Sequence, residues 1–151
     1  TLIQALLDEC DDLHKVSIIP RGRALGATMS LPKDRHTHSK SRLLGDICAL
    51  YGGRIAEEIF CGDITSGASN DIERATHIAK QMVYALGMSE KMGPIAYTES
   101  REGMSGPENV ISVSPETARE LDREVRMILD AQYQRAVHLL QQYRDAVERI
   151  A

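Results

Sequence analysis

A mainly α-helical fold, with one small two-stranded β element near its start, is the architecture these 151 residues predict. Three observations carry that expectation. Long stretches near 39–60, 69–86 and 114–150 repeat apolar residues at three- and four-residue intervals, the period of a helix buried along one face. Strand character is confined to two short runs near the N-terminus, each stopped by a proline. Aromatic residues are scarce, with one Phe and no Trp, so the core must rest on Leu, Ile, Val, Met and Ala, which suits helix packing.

The chain has the size of one domain, 1–151, and its 42% of hydrophobic residues is enough for a sizeable core. A formal charge of −4, with no run of Lys and Arg, argues against a nucleic-acid surface. No apolar stretch approaches membrane-spanning length, no signal peptide is visible and no internal repeat is evident. Cys10, Cys48 and Cys61 are odd in number and lack close metal-ligand spacing; they are expected to be reduced thiols of an intracellular-type compartment.

In chain order, Leu2, Ile3, Leu6 and Leu7 give a short helical start, followed by the polar connection 8–12. Lys15–Ile19 predicts a strand ended by Pro20, Arg21–Arg23 a turn, and Ala24–Leu31 a second strand ended by Pro32. The two strands can pair, and an open edge can either take an extended peptide or simply cover the helices. The polar segment 33–39 predicts a loop, where His36 and His38 are expected to be exposed; His14, His77 and His138 are expected on the surface or as satisfied structural residues.

Ser39 or Ser41 can open a helix to about Phe60, with Leu44, Cys48, Tyr51, Ile55 and Ile59 on one stripe and Leu43, Ile47 and Leu50 beside it. Gly52 and Gly53 inside it suggest a close approach of another backbone. By helical phase Glu58 lies nearer the middle of the stripe than Glu57, and an ion pair with Arg54, three residues before Glu57, is the plain structural alternative for both carboxylates. A polar run from Thr65 leads into the next helix, with Gly67 permitting a turn and Ser69 or Asn70 as cap, Asn70 and Glu73 resembling a capping box. Ile72, Ala75, Ala79, Met82 and Leu86 form its stripe and Gly87 can end it. Asp71 stands out, because its position points its carboxylate towards the covered side, where it needs helix N–H groups, an Arg or a metal ion as partner. A first-turn carboxylate answering the helix dipole is the ordinary reading. Residues between Tyr97 and Val113 are rich in Gly, Ser and Glu and predict a mobile loop. Ser114-Pro-Glu116 restarts helix, and Ala118, Leu121, Val125, Ile128, Ala136, Leu139 and Tyr143 continue an apolar stripe that Val147 and Ile150 extend after a break near Arg144-Asp145.

Four ordered runs carry a resemblance: His14-Lys-Val-Ser-Ile-Ile-Pro-Arg-Gly-Arg-Ala-Leu-Gly26, Tyr51-Gly-Gly-Arg-Ile-Ala-Glu-Glu58, Thr65-Ser-Gly-Ala-Ser-Asn-Asp-Ile-Glu-Arg-Ala-Thr76 and Gly87-Met-Ser-Glu-Lys-Met-Gly-Pro94. Together they resemble the protease domain of the FtsH family, the membrane-anchored AAA+ zinc metalloproteases. The resemblance implies that Asp71 is the third protein ligand of a catalytic zinc. The other two ligands would be the histidines of an H-E-x-x-H helix, whose Glu is the general base. It also associates Glu57, rather than Glu58, with the catalytic site, as the acceptor of a hydrogen bond from a ligand histidine. No H-E-x-x-H occurs in these residues. In family members the motif ends just before the segment matching Thr1–Leu7, so the chain is expected to begin after the second histidine and, by itself, to bind zinc poorly and cleave nothing.

The resemblance further implies an attached AAA+ ATPase that binds ATP in a neighbouring domain, polypeptide substrates, a hexameric ring, and a membrane-anchored parent that holds this domain on a soluble, reducing face of a bacterial inner or organelle membrane. The other reading is a module of the same fold without chemistry, acting in oligomerisation or as a scaffold. The residues encoded upstream of Thr1 discriminate the two.

Overall fold

The computed structural model describes residues 2–17, 19, 27–30, 37–63, 65–98 and 110–150. In it, α1 (Leu2–Leu6), β1 (Leu13–Ser17), β2 (Ala27–Ser30), α2 (Lys40–Ala56), α3 (Ser69–Tyr84), α4 (Pro115–Gln142) and α5 (Arg144–Ile150) follow in order. A π-turn at Glu57–Cys61 and a 3₁₀ turn at Ser66–Ala68 join α2 to α3. The expected mainly α architecture is present, and β1 and β2 pair antiparallel, Val16 opposite Thr28 and Ser17 opposite Ala27, with an irregularity between Leu13 and Lys15. Ile19 stands outside β1 and is exposed. The turn expected at Arg21–Arg23, Pro20, Pro32, His36 and most of the loop before Val113 lie outside the described residues.

α2 and α4 start where their chemistry says. Ser39 accepts the Arg42 N–H to open α2, and Ser114 accepts the Thr117 N–H to open α4, with Pro115 in the first turn, where a missing N–H costs nothing. The C-terminal end of α3 needs Gly87, whose φ is +60° and where a Cβ would meet Pro94 Cα at 2.8 Å. The break after α4 falls at Tyr143, one residue before the expected place.

α2 packs on both α3 and α4, which also pack on each other, and the apolar side chains divide into two clusters along this arrangement. Ile47, Ala75, Ala79, Met82, Val83, Tyr84, Leu121 and Val125 form the first. Ile3, Leu7, Cys10, Cys48, Ile55, Ala136 and Leu140 form the second. Two stripe members expected inside, Ile72 in the first turn of α3 and Leu86 two residues past its end, are 37% and 51% exposed.

α1 and the turn after it lie antiparallel along α2. Asp11 meets Arg42, Glu9 and Cys10 lie against Gly45, and Ile3 lies against Gly52. The start of α1 therefore points towards the end of α2 that carries Glu57. The close backbone approach expected at the paired glycines does not occur: a Cβ at Gly52 would meet the Ile3 side chain at 3.0 Å, and one at Gly53 would meet nothing within 4 Å. Both line an apolar hollow of about 310 Å³ with Leu2, Ile3, Ala56 and Val147.

Candidate metal centre

The end of α2 widens into a π-turn at Glu57, and one extra residue in a turn rotates the next side chains out of α-helical phase. The adjacent glutamates meet different partners. Glu58, central to the stripe by α-helical counting, is exposed and accepts the Tyr133 hydroxyl at 2.7 Å. Glu57 is half-buried and turns instead to the loop that leads into α3. Its carboxylate accepts the Thr65 hydroxyl at 3.0 and 3.1 Å and the Thr65 N–H at 3.3 Å. Among the described residues, Arg54 forms no ion pair with it.

Gly62, at φ +67°, ends the π-turn in the left-handed region and reverses the chain. Thr65 then caps the 3₁₀ turn by accepting the Gly67 N–H at 3.1 Å, and the turn continues into α3 without a further side-chain cap. Neither Ser69 nor Asn70 caps the helix, because both are already inside it; the capping role moves back to Thr65. Nothing in the sequence flagged Thr65, whose partner is eight residues away across a reversal rather than one helical turn away.

Asp71 occupies the first turn of α3 and is half-buried, with the fully buried Ala75 one turn further on. Among the described residues it takes no hydrogen bond from its own helix and pairs with no Arg or Lys. Of the three partners its position calls for, two are not used. Asp71 offers a carboxylate oxygen of a kind a zinc ion accepts, and residues 66–70 join it to Thr65 and through Thr65 to the carboxylate of Glu57. His14, His38, His77 and His138 are exposed, and no group of three His, Cys, Asp or Glu able to hold a metal occurs among the described residues. All three cysteines are free, Cys10 and Cys48 buried and Cys61 exposed.

Peptidase family M41 matches residues 1–151, the whole chain. The chain belongs to that family. Similar proteins include the ATP-dependent zinc metalloprotease FtsH of Magnetococcus marinus, 47% identical over 143 residues that cover 92% of this chain and 21% of the relative. The proteins of the same name from Bacillus subtilis and Photobacterium profundum are 44% and 47% identical, covering 100% and 95% of this chain and 24% and 22% of theirs. This M41 chain thus spans less than a quarter of the length of these relatives. No described helix is long and apolar enough to cross a membrane.

Proposed function

We propose that this M41 chain forms most of a zinc endopeptidase domain in which Asp71 is a metal ligand and Glu57 a positioning residue. The observation that carries the reading is a half-buried carboxylate in the first turn of α3 with no protein partner among the described residues. A buried or half-buried carboxylate left without a partner is costly, and a cation is the partner that would remove the cost. Zinc, when bound, supplies Lewis acidity towards a peptide carbonyl and a water. Asp71 contributes an anionic oxygen to the ion, and Glu57 holds the loop that presents it.

The remaining ligands and the general base are absent from these residues. We assign them to an H-E-x-x-H motif before the segment matched by Thr1–Leu7. The antiparallel run of α1 along α2 favours this, since a helix extended backwards from Leu2 travels towards Glu57. Glu57 then has room to accept an imidazole N–H as well, because a carboxylate offers about four lone-pair positions. An attached ATPase would deliver unfolded or membrane polypeptides, and the domain would work in a ring, six-membered by family resemblance, on the soluble face of a membrane. The open edges of the two-stranded sheet would offer such a substrate a place to add as a third strand.

Zinc titration of the full-length protein tests the assignment. Asp71→Ala should weaken zinc binding at least about tenfold and remove peptide cleavage, the usual cost of losing a metal contact. The chain 1–151 alone should bind zinc poorly and cleave nothing. Robust cleavage by that chain, or unchanged zinc affinity in Asp71→Ala, overturns the proposal.

A further inference from the structure

We propose that Thr65 is a positioning residue for the metal site, an inference that rests on the reading of Asp71 as a ligand. The Thr65 side chain works in two directions at once. Its hydroxyl donates to Glu57 at the end of α2, while its oxygen accepts the Gly67 N–H inside the turn that becomes α3. The Thr65 N–H adds a second bond to the same carboxylate. Because α3 has Ala68 at its N-cap and no side-chain cap of its own, this joint is what fixes where the helix begins relative to α2. Asp71 lies six residues further on, through a 3₁₀ turn and the first α turn, both rigid elements. A shift at Thr65 is therefore carried to the Asp71 carboxylate.

The joint is exposed, yet its own atoms are closely set. A Cβ at Gly67 would come within 3.2 Å of Thr65 Oγ1 and 3.6 Å of Glu57 Oε1, so glycine at that position keeps the two groups together. An ordinary helix cap would need only the bond to Gly67. The doubled contact across eight residues to a carboxylate on another element is what a cap alone does not require.

Thr65→Val removes both bonds of the hydroxyl at nearly constant shape, and Thr65→Ser restores them. In the full-length protein, stripped of metal and titrated with zinc against a competing chelator well below its melting temperature, Thr65→Val should bind zinc about 10- to 100-fold more weakly, with Thr65→Ser within about threefold of the parent. At saturating zinc the loss should appear in kcat with KM for peptide unchanged. A purely structural role lowers the melting temperature and leaves the zinc affinity and the KM-against-kcat split where they were; that result overturns the inference while leaving Asp71 as ligand, provided Asp71→Ala weakens zinc in the same titration. Unchanged affinity in Asp71→Ala instead removes the reading on which the inference rests. Should Thr65→Val fail to fold, Gly67→Ala crowds the same oxygen from outside; it should weaken zinc at least about threefold, and parent affinity there overturns the role of Thr65.

Discussion

Cys10 and Cys48 show how position decides the chemistry of a side chain. Burial pushes the Cys48 thiol up to about 11, and burial together with the Asp46 and Glu9 charges does the same to Cys10. In the unfolded chain these groups titrate near 9.0. Between about pH 9 and 11 the folded protein therefore keeps two protons that the unfolded chain has released, and stability falls as pH rises through that window. Below pH 9 the contribution is intact. Urea unfolding from pH 7.5 to 10.5 should show the decline, and Cys48→Ala should flatten it although the variant is less stable at neutral pH. A decline of the same slope in that variant would assign the effect to other groups, Tyr84 first, whose hydroxyl is pushed up to about 12 by burial and by Asp122. Because Asp71 is half-buried and has no partner among the described residues, Asp71→Asn in metal-free protein should raise the melting temperature rather than lower it, while stripping the anionic oxygen from the site.

Among the elements, α2 carries the clearest test, because its glycines sit in three different surroundings. Gly53 faces open space, so Gly53→Ala should stabilise the protein by about 0.5–1 kcal/mol through helix propensity alone. A Cβ at Gly45 would lie 2.6 Å from Glu9 Cγ and 3.2 Å from Cys10 Sγ, so Gly45→Ala must push the turn after α1 away and should be destabilising. Denaturant midpoints of the two variants moving in the same direction would contradict this account. The sequence carried the existence and phase of α2, α3 and α4, because Ser39, Ser114, Pro115 and Gly87 are local signals and the apolar period is local too. Glu57 and Asp71 are candidates through motif resemblance rather than through spacing. The sequence did not carry the π-turn that follows α2, nor the Thr65 joint, since contacts across a reversal leave no period to read. Buried Ser89 and Glu124, bonded at 2.6 Å between the segment after α3 and α4, were hidden for the same reason.

At the scale of the whole molecule, the first cluster joins α2, α3 and α4, while the second seats the N-terminal segment against α2 and α4. α1 has five residues, and an isolated helix shorter than about 12–15 residues is marginal in water, so its order comes from tertiary contacts. Ile3, Leu7 and Cys10 supply the apolar part of those contacts. Two arginines supply the polar part. Arg42 grips both carboxylate oxygens of Asp11, at 2.8 and 2.6 Å, while its Nε reaches Asp46, and Arg135 holds Glu9 at 2.6 Å. A bidentate guanidinium contact of this kind fixes orientation as well as distance. Removing both arginines should thus free residues 2–12 without opening the first cluster, whose members lie on α2, α3 and α4 alone. In Arg42→Ala/Arg135→Ala, hydrogen exchange should accelerate at least about tenfold across the segment 2–12 while the amides of 75–84 keep their protection, the signature of local rather than global opening. Equal loss of protection in α3 would mean that the segment and the frame unfold as one unit, and that the start of α1 is directed towards Glu57 by the core itself rather than by these two side chains.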